Sequence, residues 1–195
     1  MMRRLFILLA LSSFCFAASA GARKPISSFT KLGPNETIVV GRVELVPPLH
    51  EYDQRLRGPM SGKFENKMFM MVDAEYWELT EEPGFGDFKG RIDARFGEEF
   101  IVRSSNEPFC IIAGMMYLSL GHGLPDQAYF PGGLQADIES GDKAVYIGTI
   151  RYHRNEFFDV TDVKIIDDYE RVNAEFKKQF GDKYPLRKAL LTAVR

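Results

Sequence analysis

The clearest alternation of apolar and polar positions lies in the second half of the chain. In residues 143–152, Ala144, Tyr146, Gly148, Ile150 and Tyr152 share one face of an extended chain, and Val145, Ile147, Thr149 and Arg151 share the other. Both faces are largely apolar, which predicts a central strand whose second face is covered by a terminal helix or a loop. On this reading Tyr146 and Ile150 lie on one side, with Val145 and Ile147 on the other. Residues 157–166 alternate similarly, and the Asn155-Glu156 turn predicts an antiparallel hairpin between the two segments. Residues 37–45 are rich in β-branched side chains and predict a further strand. Residues 67–72 and 76–79 read as paired strands bending near Asp73, and 91–96 with 99–103 as a hairpin about Gly97. Residues 109–120 form a continuous apolar run that Pro108 and Gly114 tip toward a strand, and 134–138 make a short one.

The period then changes. Tyr169, Val172, Phe176 and Phe180 recur at helical spacing, Asp167 and Glu170 have capping-box spacing, and Gly181 supplies the stop. Pro185 can open another helical turn, with Leu186, Ala189, Leu190 and Val194 on one side. Many short strands joined by Gly and Pro turns, with helix only at the end, predict an antiparallel β-sandwich carrying a C-terminal helix. The lack of βαβ alternation argues against a dinucleotide-binding domain. Two Gly/Pro-rich loops interrupt the pattern, at residues 49–64 and 121–133.

The N-terminus belongs to neither pattern. Arg3 and Arg4 precede an apolar run over residues 5–11, small or apolar residues follow, and Ala18-Ser19-Ala20 is a cleavage motif. This three-part order predicts a secretory signal peptide over residues 1–20. A flexible polar lead over 21–36 and one sandwich domain over 37–195 would follow. The apolar run is short for a bilayer, so no transmembrane segment is expected after cleavage. Phe14 ahead of Cys15 is not the small residue that a lipid-modified cysteine usually follows. Cleavage leaves Cys110 as the one cysteine, so an intramolecular disulfide is excluded; a periplasmic or cell-surface location fits best.

In the 195 residues, 45% are hydrophobic and 27% charged, which excludes wholesale disorder. The net charge of −2 gives no basic excess to draw the chain onto nucleic acid. Candidate catalytic chemistry is thin. His50, Asp53, His122, Asp126 and His153 could be gathered into a metal site, but their spacing matches no ligand signature. Asp159, Asp162, Asp167 and Asp168 are acidic oxygens of the kind calcium takes, without the EF-hand order. Ser119 near His122 lacks the GxSxG context, and Cys110 lies in an apolar run where a buried, inert thiol is the default. Met68, Met70, Met71, Met115 and Met116 read as plastic core more than as binding surface. No cofactor and no catalytic residue is expected. Recognition by the two loops is the better reading. The first offers Tyr52, Arg55, Arg57 and Phe64, and the second His122, Tyr129 and Phe130, residue types rich in interface energy.

Residues 133–180 carry a turn of the form I-x-x-G at Ile138–Gly141 and then Tyr146-Ile147-Gly148-Thr149-Ile150. This resembles a pattern in uncharacterised bacterial exported proteins and lipoproteins. The resemblance implies an immunoglobulin- or prealbumin-like sandwich and carries no catalytic residues. The expected function is that of an exported, non-catalytic sandwich binding a protein or cell-envelope component. The alternatives are a metal- or carboxylate-dependent hydrolase using the His-bearing loops, and a structural accessory subunit of a surface assembly.

Overall fold

A computed structural model describes residues 31–50, 66–74, 88–105, 108–119 and 125–194. The segment expected to be a signal peptide, most of the expected lead, the strand expected at 76–79 and most of the first expected loop lie outside these residues. The strands are β1 (Glu36–Val46), β2 (Lys67–Ala74), β3 (Phe88–Arg95), β4 (Glu99–Ser105), β5 (Phe109–Ser119), β6 (Pro125–Ala136), β7 (Ala144–Arg154) and β8 (Val160–Ile166). Helix α1 (Tyr169–Phe180) follows, then two short strands, β9 (Leu186–Lys188) and β10 (Thr192–Ala193).

The strands form two sheets. One runs β4-β1-β7-β8 with β9 also on β7, and the other runs β10-β6-β5-β2-β3. The second sheet is antiparallel throughout. The first is mixed, because β7 runs parallel to both β1 and β9. The purely antiparallel sandwich expected from the sequence is corrected here. Strand β1 is sandwiched between β4 and β7, and the chain returns through α1 to lay β9 along β7 in the same direction.

One apolar core lies between the sheets. Val39, Val43 and Leu45 meet Met68, Met70, Ile92, Ile111, Met116 and Phe130 across it. Tyr152 from the mixed sheet meets the Phe130 ring edge-on at 5.0 Å, and its hydroxyl donates to Pro131 O at 3.1 Å. That hydrogen bond satisfies a fully buried polar atom and ties the two sheets together. A second core lies on the outer face of the mixed sheet. There Ile38, Val40, Ala144 and Tyr146 pack under Val172, Phe176 and Phe180 of α1. β7 is therefore central and covered on both faces, as its pattern predicts.

The face assignment within β7 differs from the expected alternation. Val145, Ile147, Ile150 and Tyr152 all belong to the inter-sheet core, while Tyr146 belongs with the helix. The reason is a bulge. Val40 pairs with Tyr146 but Arg42 pairs with Thr149, so β7 contains one extra residue, and Gly148 lies at φ +99°. One inserted residue reverses the parity of everything after it. The same bulge divides one edge of β7 between two partners, β9 along Ala144–Tyr146 and β8 along Thr149–Arg154.

Other boundaries also move. β3 and β4 do not form a hairpin: β3 pairs with β2, β4 pairs with β1, and the chain crosses between sheets around Gly97, whose N–H donates to Val43 O. β2 takes β3 and β5 as neighbours. The run at 109–120 is a strand. Most of the expected second loop is strand too, since β6 begins at Pro125. β6 pairs with β10 at only Leu134 and Gln135, so its remaining outer edge tolerates Pro125 and Pro131. An added Cβ at Gly132 would stand 2.0 Å from Ile112 O, so glycine permits the close approach where β6 bulges against β5.

Helix α1 runs as predicted to Gly181, whose N–H donates to Lys177 O. Its N-cap is Asp168 rather than Asp167. The Asp168 carboxylate makes no cap bond and instead accepts from Thr149 Oγ1 at 3.0 Å, while Asp167 accepts from the Tyr169 N–H at 3.1 Å. No second helical turn opens at Pro185. The chain there is extended, with the Ala189 N–H donating to Tyr146 O and the Leu191 N–H to Ile147 O. A vacant strand edge offers more hydrogen bonds than one isolated helical turn can make. Among the described residues no helix is long and apolar enough to cross a membrane.

Candidate binding surfaces

The outer face of the antiparallel sheet carries the exposed residue that the sequence singles out. Residues on β2, β5 and β6 line up in register, Phe69 opposite Met115 and Met115 opposite Tyr129. Phe69, Met71 and Met115 form a small buried cluster with Tyr117, Ile112 and Ala113 around it. The Phe69 and Tyr117 rings meet edge-on at 5.9 Å. The Arg91 guanidinium lies over the Phe69 ring at 5.0 Å and is held by Asp93, to which its Nε donates at 2.7 Å. Tyr129 is 56% exposed, and its hydroxyl donates to Gln127 Oε1 at 2.6 Å. The methionines thus divide: Met68, Met70 and Met116 fill the inter-sheet core, whereas Met71 and Met115 underlie this outer patch.

Phe130, the neighbour of Tyr129, has the opposite fate. It is 2% exposed, enclosed by Phe96 and Tyr152 in the core, and is corrected from contact residue to packing residue. Strand alternation separates the two rings, which a loop reading could not do. Tyr52, Arg55, Arg57, Phe64 and His122 lie outside the described residues.

A second surface lies on the outer face of the mixed sheet, beside α1. A groove of about 210 Å³ is lined by Val40, Ile101, Val172 and Phe176, with Glu99, Glu175 and Gln179 at its sides. Arg171 Nη1 donates to Glu99 at 2.7 Å and to Glu175 at 3.3 Å. Those carboxylates raise the pKa of the Arg171 guanidinium above its ordinary value, the hydrogen bond to Glu99 being the largest cause. Next to it Arg151 pairs with Glu44 at 2.8 Å, and Arg42 lies 3.3 Å from the same carboxylate. Each carboxylate here is matched to a guanidinium. The arrangement holds charges in place and has no nucleophile beside a base.

The aspartates considered for calcium are separated in use. Asp159 accepts from Asn155 at 2.9 Å, Asp162 pairs with Lys164 at 3.3 Å, and Asp167 pairs with Lys188 at 2.9 Å. Among the described residues no three His, Cys, Asp or Glu side chains are grouped to hold a metal ion. Cys110 is buried, with Sγ 3.9 Å from Gln135 Oε1.

One exposed residue had no sequence signal as a contact group. Phe157 stands in the turn between β7 and β8 at 75% exposure, and only its place beside Asn155-Glu156 in a predicted turn hinted at projection. The chain matches no family model, and no curated protein or solved structure matches it.

Proposed function

We infer that the protein is exported and works by binding a protein or a component of the cell envelope, without catalysis of its own. The observation that carries this reading is Tyr129. It is held on a strand, more than half exposed, and in register with Met115 and Phe69, with an arginine stacked over the latter. A tyrosine so placed adds little to the core, whereas its rigid, amphipathic ring supplies contact area at low entropic cost. The basic n-region, apolar run and Ala18-Ser19-Ala20 support export.

The test is recovery of partners from envelope extract by wild type, by Tyr129→Ala and by a Tyr52/Arg55/Arg57 triple-Ala variant. Tyr129→Ala is expected to keep its melting temperature and to recover its partner several-fold less well. Undiminished recovery by both folded variants removes these surfaces from the reading. N-terminal sequencing of the exported protein is expected to begin at Gly21, and an intact Met1 would refute the signal.

A further inference from the structure

Three large hydrophobic side chains are exposed among the described residues: Val46, Tyr129 and Phe157. Two of them, Val46 and Phe157, lie at one end of the mixed sheet, since Val46 pairs with His153 at the base of the β7–β8 turn. A single exposed Phe on a mobile loop needs no explanation. Phe157 is mounted differently. The Asn155 side chain accepts from the N–H groups of both Phe157 and Asp159, at 2.9 Å each, and donates to the Asp159 carboxylate at 2.9 Å. Arg154 donates to the carbonyl oxygens of Pro47 and Pro48 at 3.1 Å and lies 4.3 Å over the Phe158 ring. Phe158 turns inward against the core and takes φ +68°, a left-handed conformation rare for a bulky residue. The turn is thus tied on both sides, and the effect of the strained inward Phe158 is that Phe157 projects outward. Strain of this kind is retained where surrounding contacts over-determine it, often at contact sites.

We propose that the β7–β8 turn is a rigid anchor, with Phe157 inserting into an apolar pocket that has a cationic rim on a partner protein. Charge selects that occupant. Glu156 and Asp159 flank the ring and are exposed, while Arg154 is committed to Pro47 and Pro48. Carboxylates on both sides of an aromatic oppose insertion into an anionic membrane surface and complement basic residues around a protein pocket. The anchor is separate in sequence and sheet from the Tyr129 surface and does not rest on it.

The test places a photo-crosslinking phenylalanine analogue at position 157 of the full chain in the producing cells. One discrete heterologous adduct is expected. Added purified wild type should suppress it, while Phe157→Ser, Glu156→Lys and the turn-loosening Asn155→Ala should suppress it at least several-fold less well. The Phe157→Ser protein should keep the wild-type melting temperature, because the ring is exposed. In parallel, vesicles of phosphatidylcholine, alone and with phosphatidylglycerol, are expected to leave the wild type in solution. No adduct, an adduct of two copies of this chain, equal competition by Phe157→Ser, or Phe157-dependent sedimentation with either vesicle would each overturn the proposal.

Discussion

The backbone of Gly148 lies at φ +99°, and a Cβ there would stand 2.7 Å from Ile165 Cγ2. A side chain would face both a left-handed penalty of about 1–2 kcal/mol and overpacking of about 1–3 kcal/mol. Gly148→Ala is therefore expected to cost about 2–5 kcal/mol by urea denaturation, and an unchanged midpoint would count against the bulge. This residue also shows where sequence reading stops. Gly148 occupies an even position in an unbroken alternation, so nothing in the pattern marks the extra residue that reverses the strand behind it. Asp142 is a second residue of consequence. Its carboxylate, 9% exposed, receives Arg187 Nη2 at 2.6 Å and Nε at 2.8 Å, and the Arg187 hydrogen bonds lower its pKa. A carboxyl depressed on folding contributes stability above its unfolded value of about 3.9, and that contribution is lost as pH falls through the folded value. Asp142→Asn is expected to lose about 1.5–3 kcal/mol at neutral pH. The gap to wild type should shrink between about pH 5 and pH 2, as read from thermal melts across that range.

The elements divide by length. β1, β5, β7 and α1 are each long enough for a period or an apolar run to register, and their existence was legible. β9 and β10 contain three and two residues, too few for any period, and Pro185 mimicked a helix start. Their importance comes from partners far away in sequence. Between them Ala189 and Leu191 donate to β7, and Val194 donates to Gly133 of β6, so this segment stitches the mixed sheet to the antiparallel one. Leu191 is buried in the inter-sheet core, whereas Ala193 is exposed. Leu191→Ala should cost about 2–5 kcal/mol and Ala193→Ser almost nothing, with chemical denaturation as the measure. The amides of Ala189 and Leu191 should also exchange with the slow core class in deuterium exchange; rapid exchange would show that the stitch opens on its own.

In the whole molecule, three layers stack: helix, mixed sheet, antiparallel sheet. Two sheets and a terminal helix were legible from strand count and the final change of period. The parallel pairing of β1 with β7 was not, because neither strand's own residues encode which neighbour it takes. The candidate surface was legible in part for the same reason. Tyr129 stood out as an aromatic among turn formers, but separating it from Phe130 required knowing that β6 extends through that segment. Contacts such as Arg151 to Glu44, 107 residues apart, dominate the mixed sheet. Such non-local topology predicts refolding on the millisecond-to-second scale. Stopped-flow fluorescence of the refolding chain should show it, and microsecond folding would argue against this pairing.

The position of β1 between β4 and β7 has a further consequence during vectorial synthesis. The strand is made early, yet its second neighbour lies 107 residues downstream. At about 5–20 residues per second, the ribosome leaves that edge vacant for roughly 5–20 s. Throughout that interval the nascent chain lacks the strand that closes its sheet and the segment that stitches the two sheets together. A polypeptide in that condition has an open mixed sheet, and it closes only once β7 and the segment after α1 have been made.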